Sequence, residues 1–320
     1  MRTDKVVLIA GGAGSIGSAL VERLATSGMS DLIVVDKDEN QLESLRGKLV
    51  DRALTEPMMY VCDLRNRKHI VKIFSDHLPD MMFNCAAHKH VVSGQRNVSE
   101  TVNNNLVTTE NLLVAKRLNP ECKFVHISTD KAVEPTSVMG ASKMLCESMI
   151  RGESKPSDKN SIIRFGNVMG TQGSVLQIWK RQLEQDMAFT VTDLSMKRYM
   201  MTMDQACEQI LRVVGGDSGT YILDMGEEVP VSELLANFRK AHDCPSHPIR
   251  IIGIKPGEKV SEKLHWPVEH LTHFSAGGQT IHRVYHSPHF DYLRALEISR
   301  SFDDDKTLEC LRGLFGKGMA

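Results

Sequence analysis

The sequence has almost no net charge, no long apolar run and no paired cysteine motif, and each absence argues against a class of protein. Its 39 Lys and Arg residues are balanced by 40 Asp and Glu residues, giving a formal net charge of −1. No basic field is therefore present to attract nucleic acid or an anionic membrane. No stretch of 18 or more apolar residues occurs, so no membrane-spanning helix is predicted. The seven cysteines contain no C-x-x-C pair, which argues against a disulfide framework and a zinc site.

The first four residues run directly into an apolar segment and do not have the pattern of a signal peptide. Scattered cysteines suit a reducing compartment, so we expect a cytoplasmic protein. The histidines near the end of the chain, such as His265, His270 and His273, are spaced too loosely to predict a metal site.

Short apolar runs alternate with helical patterns through the first half of the chain. This alternation is typical of an α/β protein with a doubly wound parallel sheet, the Rossmann architecture. The predicted strands are Lys5–Ala10, Leu32–Val35, Met59–Cys62, Met81–Ala86, Lys123–Ser128 and Ser161–Phe165. The predicted helices between them are Ser15–Ser27, Glu39–Leu49, Arg67–Ser75, Val98–Arg117 and Gly140–Arg151.

The second half of the chain is less regular. Helical spacing covers Val175–Gln185, Asp204–Val214 and Val231–Ala241, and a strand is predicted at Thr220–Asp224. We therefore predict a dinucleotide-binding domain over residues 1–165, to which 203–225 returns, and a smaller C-terminal lobe over 166–320 that mainly binds substrate. Residues 265–320 carry no pattern that predicts their role.

A glycine-rich loop separates the first predicted strand from the first helix. Gly11, Gly14 and Gly17 follow a G-x-x-G-x-x-G spacing, with Ser15 and Ile16 at the start of the helix. Glycine permits a tight turn and a close approach of backbone to a pyrophosphate, and a helix N-terminus attracts its negative charge. Although glycines there can serve only to make a turn, the strand–loop–helix–strand context predicts a dinucleotide site.

Acidic residues follow the second and third predicted strands. Asp36 stands where a carboxylate accepts hydrogen bonds from ribose hydroxyls and repels a 2′-phosphate, which favours NAD over NADP. The neighbouring Lys37 weakens that preference. Asp63 either bonds the adenine or caps the strand end. Small or apolar residues expected along the cofactor are Leu64, Ala86 and Ala87.

A run of polar residues, Ser128-Thr129-Asp130-Lys131, ends the fifth predicted strand. Ligands of open α/β sheets bind at the carboxyl ends of the strands, so this run is a candidate reaction centre. The alternative is that Asp130 and Lys131 form an ion pair that shapes the loop. Lys143, on the next helix, would orient a nicotinamide ribose or else lie on a solvated helix face.

These segments resemble the extended short-chain dehydrogenase/reductases, through the glycine loop, Asn105, the 128–131 run and Lys143. The order of further motifs resembles the polysaccharide-biosynthesis branch, which includes UDP-N-acetylglucosamine 4,6-dehydratases and nucleotide-sugar epimerases. The resemblance covers about residues 5–264. The motifs are His88-Lys89-His90-Val91, Val138-Met139-Gly140-Ala141-Ser142-Lys143, Arg164-Phe165-Gly166-Asn167-Val168, Arg198-Tyr199 and Pro256-Gly257-Glu258-Lys259.

The resemblance implies a reaction on a nucleotide sugar. NAD takes a hydride from C4, water is eliminated across C5 and C6, and the hydride returns to C6. The elimination needs an acid and a base side by side, which Asp130 and Lys131 would supply. A plain 4-epimerase needs neither group. Met139 occupies the position of the usual tyrosine base, and a thioether cannot carry a proton, so the base for the sugar hydroxyl stays open among Thr129, Lys131 and a water.

The resemblance also implies binding residues and partners. Lys89 and Asn105 are expected to bind cofactor, and arginines can hold a diphosphate in bidentate fashion. The leading prediction is a UDP-sugar dehydratase; the alternatives are a 4-epimerase and a non-catalytic dinucleotide sensor. A homo-oligomer is expected by resemblance. The residues expected to bind substrate are Lys89, His90, Asn167, Ser174, Arg181, Arg198 and Glu258.

Overall fold

The computed structural model describes residues 5–155, 157–276, 278–316 and 318–320. Its strands are β1 Val7–Ala10, β2 Leu32–Asp36, β3 Met58–Val61, β4 Met81–Asn84, β5 Lys123–Ile127, β6 Asn160–Arg164, β7 Asn167–Val168, β8 Phe189–Val191, β9 Lys197–Met201, β10 Gly219–Ile222, β11 Glu228–Pro230, β12 Ile249–Ile251, β13 His270–Ala276 and β14 Gln279–Tyr285.

The helices are α1 Ser15–Thr26, α2 Glu39–Asp51, α3 Arg67–His77, α4 Val91–Arg96, α5 Val98–Lys116, α6 Val138–Glu153, α7 Val175–Glu184, α8 Met203–Val214, α9 Val231–Ala241, α10 Tyr292–Ser299 and α11 Asp304–Phe315. A single 3-10 turn, Asp130–Ala132, follows β5. Within the described ranges, every helix is too short or too polar to span a bilayer.

The main sheet has nine strands in the order β13-β14-β10-β6-β5-β4-β1-β2-β3. The strands from β10 to β3 are parallel to their neighbours. Strand β1 is completely buried because its four apolar side chains face helices on both sides. The doubly wound α/β fold expected from the sequence is therefore present.

The strand order reverses between β1 and β4. From β1 the chain first adds β2 and β3 on one side, and then returns to place β4, β5 and β6 on the other. The loops that leave β1 and β4 consequently diverge, and a crevice opens between them at the carboxyl ends of the strands. This crevice is the position at which the glycine loop and the reaction-centre segment meet.

The last 50 residues complete the main sheet and its helical cover. Strand β14 pairs antiparallel with β10, and β13 pairs with β14. Helices α10 and α11 then pack against α5 and α6. Strands β13 and β14, which the sequence assigned to the smaller lobe, thus belong to the same sheet as β1, as does the returning strand β10.

The smaller lobe is built from residues between β6 and β13 other than α8 and β10, which belong to the main sheet and its cover. Strands β7, β9 and β11 form one small sheet, and β8 pairs with β12 in another. Its separate core contains Trp179, Phe189 and Phe238, which contact one another edge-on or tilted. Helix α7 of this lobe starts directly beside the crevice.

Candidate functional site

The glycine loop has a backbone that side chains would obstruct. Gly11 has a φ of +71°, and a Cβ built there would lie 2.5 Å from the backbone nitrogen of Ala86. A Cβ on Gly17 would overlap the carbonyl oxygen of Gly11. Gly17 thus allows α1 to pack closely on the loop, whereas Gly11 allows β1 and the segment after β4 to approach each other.

The start of helix α1 is available for an anion. Its N-cap, Gly14, has no side chain to satisfy the first N–H groups, and the first turn contains no acidic residue. Asp36, at the end of β2, holds the loop from the other side by accepting hydrogen bonds from the backbone nitrogens of Ala13 at 3.1 Å and Asp38 at 3.2 Å. A partial positive helix end with an acid one strand away suits a dinucleotide.

A cavity of about 300 Å³, the loop cavity, opens beside this helix end. Its lining includes most of the residues that the sequence predicts to bind cofactor. They are Gly11, Gly14, Ser15, Ile16, Asp36, Asp63, Leu64, Ala86, Ala87 and Lys89.

Asp63 is engaged by a neighbouring arginine. Both of its carboxylate oxygens accept hydrogen bonds from Arg65, which also pairs with Glu100 at 3.1 Å. The Arg65 side chain holds the pKa of Asp63 below its usual value. Asp63 therefore lines the loop cavity as a carboxylate that is already paired with the guanidinium of Arg65.

Asn105 does not line either cavity of the crevice. Its amide oxygen accepts from the backbone nitrogen of His88 at 2.8 Å, and its amide nitrogen donates to the carbonyl of His88 and to Ser142 Oγ. Asn105 is 2% exposed, and these bonds use its polar groups. It fixes the segment that follows β4, a supporting position rather than the direct cofactor contact that the resemblance implied.

A second cavity of about 340 Å³, the β5 cavity, adjoins the loop cavity. The residues that line both are Ile16, Cys85, Ala87, His88, Lys89, His90 and Gln172. The two together form one continuous cleft. The predicted catalytic residues that line the β5 cavity are Thr129, Lys131, Met139 and Lys143.

Asp130 lies behind this cleft rather than in it. Its side chain is completely buried, and its Oδ1 accepts from Lys131 Nζ and from Thr129 Oγ1, both at 2.9 Å. Its Oδ2 has no hydrogen-bond partner in the described part of the chain. A Cβ on Gly166 would lie 3.0 Å from that oxygen. The ion pair that the sequence left as an alternative is therefore present.

Lys131 connects the buried acid to the cleft. Its Nζ lies 2.9 Å from Asp130 Oδ1, 3.2 Å from Asn167 Oδ1 and 3.8 Å from Glu262 Oε1. Glu262 is 5% exposed and also pairs with Lys259 at 3.3 Å. The sequence did not predict Glu262, because it lies 131 positions after Lys131 and only tertiary packing brings the two together.

Met139 and Lys143 lie on the first two turns of α6. The helix is capped by Ser137, whose Oγ accepts a hydrogen bond from Gly140 N at 3.1 Å. Lys143 is 6% exposed, and burial lowers its pKa. Its Nζ lies 2.5 Å from the carbonyl oxygen of Ile127 and 3.1 Å from His126 Nε2. Lys143 is therefore an inward-facing amine at the floor of the cleft, not a solvated side chain.

Four of the residues predicted to bind substrate line the β5 cavity: Lys89, His90, Asn167 and Ser174. His90 lies under the loop before α7, since a Cβ on Gly173 would lie 2.7 Å from its ring. Burial, followed by the charge of Lys89, lowers the pKa of His90.

The other three predicted substrate contacts lie outside the cavity lining. Arg181 is exposed on α7. Arg198 donates to the carbonyls of Lys197 at 2.7 Å and Val260 at 3.1 Å. Glu258 accepts from the backbone nitrogen of Lys255 at 3.1 Å. The contacts of Arg198 and Glu258 therefore hold the backbone of the loop that contains Glu262.

Gln172 is a cleft residue that the sequence did not indicate. Its backbone nitrogen donates to Ser15 Oγ at 3.1 Å, and its side chain donates to Gln41 at 3.3 Å. This contact joins the smaller lobe to the start of α1, across the cleft. Only the three-dimensional arrangement reveals it, because the two segments are 157 positions apart.

Comparisons with known proteins agree with this geometry. A family model described as polysaccharide biosynthesis protein matches residues 7–282. The capsular polysaccharide biosynthesis protein CapD of Staphylococcus aureus is 34% identical over 272 residues, which are 82% of this chain and 45% of that protein. A UDP-glucose 4-epimerase of Rickettsia felis is 31% identical over 274 residues, 82% of this chain and 78% of that protein. The chain thus spans about half the length of the CapD relative.

Solved structures show the same fold. Pen from Bacillus thuringiensis superimposes with a TM-score of 0.79 at 30% identity, covering 89% of this chain and 90% of that one. The dTDP-glucose 4,6-dehydratase DesIV of Streptomyces venezuelae, with NAD bound, gives a TM-score of 0.70 at 21% identity, covering 81% and 87%.

Proposed function

The chain belongs to the family of polysaccharide biosynthesis proteins, and on that premise we propose that it is an NAD-dependent nucleotide-sugar 4,6-dehydratase. Its substrate is UDP-N-acetylglucosamine or a close relative, and its product enters a surface polysaccharide or glycan. The observation that carries this proposal is Lys131, whose Nζ opens on the cleft while it is paired with the buried Asp130 at 2.9 Å.

NAD fits the loop cavity because a helix end and a carboxylate lie at its two sides. The bound dinucleotide would supply a hydride acceptor beside the sugar. Gly11, Gly14 and Ser15 would receive the pyrophosphate, and Asp36 the adenosine ribose hydroxyls. Lys143 would contact the nicotinamide end, since it alone among these residues lies in the β5 cavity. The UDP-glucose 4-epimerase of Thermus thermophilus and DesIV of Streptomyces venezuelae, which share the fold, both hold NAD in their solved structures.

The Asp130–Lys131 pair can supply both an acid and a base. Transfer of one proton over the 2.9 Å from Lys131 Nζ to Asp130 Oδ1 would convert the ion pair into a free amine and a carboxylic acid. Lys131 then removes the C5 proton of the 4-keto sugar, and Asp130 protonates the departing C6 oxygen. Because Asp130 is buried, its carboxyl must turn into the cleft when the sugar binds.

That burial favours a second candidate function. A UDP-sugar 4-epimerase needs no acid for C6, and Asp130 does not line the cleft of this structure. Proteins named UDP-glucose 4-epimerase are 31% identical to this chain. An epimerase would use the same cleft, cofactor and Lys143, with the Asp130–Lys131 pair serving only to shape the loop.

The test is incubation of the purified, NAD-loaded chain with UDP-N-acetylglucosamine in deuterated water, with mass spectrometry and NMR of the product. A dehydratase releases one water and incorporates solvent deuterium at C5. An epimerase gives an isomer of unchanged mass without deuterium. Turnover of no UDP-sugar would eliminate both enzymatic functions and leave the dinucleotide sensor.

Localisation and assembly remain predictions of the same proposal. We expect a cytoplasmic protein that forms a homo-oligomer. Cell fractionation, together with light scattering of the purified chain, measures both properties directly.

A further inference from the structure

His126 is a buried titratable residue that the proposed reaction does not use. It lies on β5, is 1% exposed, and its two ring nitrogens contact different partners. Nε2 lies 3.1 Å from Lys143 Nζ, and Nδ1 lies 3.0 Å from Asn84 Nδ2. His126 lies behind Lys143, so a single hydrogen bond connects it to a residue that lines the cleft.

The direction of the hydrogen bonds around His126 is set from Thr109. The Thr109 hydroxyl donates to the carbonyl oxygen of Asn105 at 2.9 Å. Its single proton is then used, so Thr109 Oγ1 can only accept from Asn84 Nδ2, at 3.3 Å. The Asn84 amide nitrogen therefore faces both Thr109 and His126, and it donates to each.

An imidazole that accepts at Nδ1 and is neutral carries its proton at Nε2. That proton points at Lys143 Nζ, and a nitrogen can accept it only as a free amine. Lys143 in turn donates to the carbonyl oxygen of Ile127. With this tautomer the hydrogen-bond chain Thr109–Asn84–His126–Lys143 runs in one direction and requires a lone pair on Lys143 Nζ.

We propose that Thr109, Asn84 and His126 are positioning residues that hold Lys143 as a free amine, and that Lys143 is the base for the sugar C4 hydroxyl in place of a tyrosine at position 139. The proposal rests on the proposed function. The C4 O–H bond breaks and its proton forms a bond to Nζ. A bound oxidised dinucleotide would accept the C4 hydride as the C4=O bond forms.

The charges around Lys143 are compatible with a free amine. Burial opposes the ammonium form, whereas Cys146, Glu147 and Cys85 face Lys143 and favour it. Burial raises the pKa of Cys85 to about 12 and also raises that of Cys146, so both remain neutral thiols. Glu147 is paired with Arg164 and Arg151. Burial lowers the pKa of His126 well below its usual value, which keeps the imidazole neutral.

The test is NMR of the NAD-loaded chain without sugar, with 15N-labelled histidine and lysine labelled with 13C at Cε. His126→Leu and Lys143→Met assign the two signals. We expect the His126 proton at Nε2 and a Lys143 signal that titrates below the ordinary lysine range. A proton at Nδ1, or an ordinary lysine titration, would overturn the proposal even if the chain dehydrates UDP-sugars.

Thr109→Val provides a nearly isosteric variant that changes no charge. Without the Thr109 oxygen the Asn84 amide is free to reverse, so the His126 proton should appear partly at Nδ1 and Lys143 should titrate at higher pH. The rising limb of the kcat–pH profile should move to higher pH by about one pH unit. Thr26→Val is the control, because it removes the same kind of hydroxyl-to-carbonyl bond, to Glu22 on α1, away from both cavities. It should leave the tautomer and the titration unchanged. If the NMR data show this hydrogen-bond chain but no UDP-sugar is turned over, the proposed function and the role of Lys143 as a base are both wrong. The free-amine state of Lys143 is then still supported.

Discussion

Arg164 Nη1 and Glu269 Oε2, 105 positions apart in the chain, form an ion pair of 2.8 Å in which neither side chain is exposed. Arg164 also pairs with Glu147 at 2.6 Å, and Glu147 in turn accepts from Ser128 Oγ at 2.6 Å. This buried network ties the end of β5, helix α6 and the segment before β13 together. It thus couples the candidate reaction centre to the C-terminal part of the sheet.

Glu147→Gln should strongly destabilise the chain. The substitution leaves Arg164 buried with one carboxylate instead of two, a type of loss that costs about 3–5 kcal/mol in the free energy of unfolding. Urea unfolding at neutral pH measures this. The control is Glu121→Gln, which removes an exposed pair with Lys159 and should change stability little. A loss no larger than that of the control would contradict a role for the network.

Stability should fall in acid because of the same carboxyl. Burial opposes its charged form, but Arg164 outweighs burial and lowers the pKa of Glu147 from 4.5 to about 2. A lowered pKa contributes stability above the unfolded value of 4.5, and that contribution is lost as pH falls toward 2. It is about 3 kcal/mol when complete. Urea unfolding from pH 6 to pH 3 should show this slope in the wild type and a smaller slope in Glu147→Gln.

Gly11→Ala should weaken dinucleotide binding and destabilise the loop. The new Cβ would meet the backbone of Ala86 in a left-handed backbone conformation, at a cost of about 1–3 kcal/mol. We expect at least about a tenfold rise in the Kd for NAD, measured by calorimetry. Gly47→Ala is the control, because a Cβ there meets open space on α2 and should stabilise the helix by about 0.5–1 kcal/mol. Equal NAD affinity in both variants would refute the assigned role.

Asp36→Asn should narrow the preference for NAD over NADP. The amide keeps an acceptor for Ala13 N but loses the charge that repels a 2′-phosphate. We expect the ratio of the two dissociation constants to shift about tenfold toward NADP, by titration of each dinucleotide. Asp51→Asn, at the exposed far end of α2, is the charge-matched control. An unchanged ratio would place the ribose elsewhere.

Lys131→Ala should leave NAD binding intact and abolish water loss from the sugar. The substitution removes the predicted base for the C5 proton, which is paired with Asp130, while the residues of the loop cavity are untouched. Product mass and NAD calorimetry are measured on the same sample. Lys263→Ala, which removes an exposed pair with Glu134, should dehydrate normally. Dehydration by Lys131→Ala at the wild-type rate would show that another group is the base.

Much of the parallel sheet could be predicted from sequence, because strands covered on both faces appear as short apolar runs with polar ends. Met81–Asn84 and Lys123–Ile127 are such runs. The hairpin β13–β14 was not predicted. Its strands are only partly buried and contain several histidines, so they depend on β10 as a neighbour rather than on their own pattern.

The candidate site was predictable where a residue follows a strand and unpredictable where packing decides its direction. Thr129 and Lys131 reach the cleft because β5 ends beside them. Asp130, one position away, turns inward, and sequence spacing carries no information about that choice. The direction of the Arg198 side chain was equally unpredictable, since its guanidinium donates hydrogen bonds to the backbone carbonyls of Lys197 and Val260.

Helices α10 and α11 have a consequence for quaternary structure. They cover α5 and α6 with the chain's own C-terminal residues, so a second copy could reach those two helices only by displacing them. We predict that a symmetric assembly uses another face, and that deletion of the last 30 or so residues exposes new apolar surface for adventitious self-association.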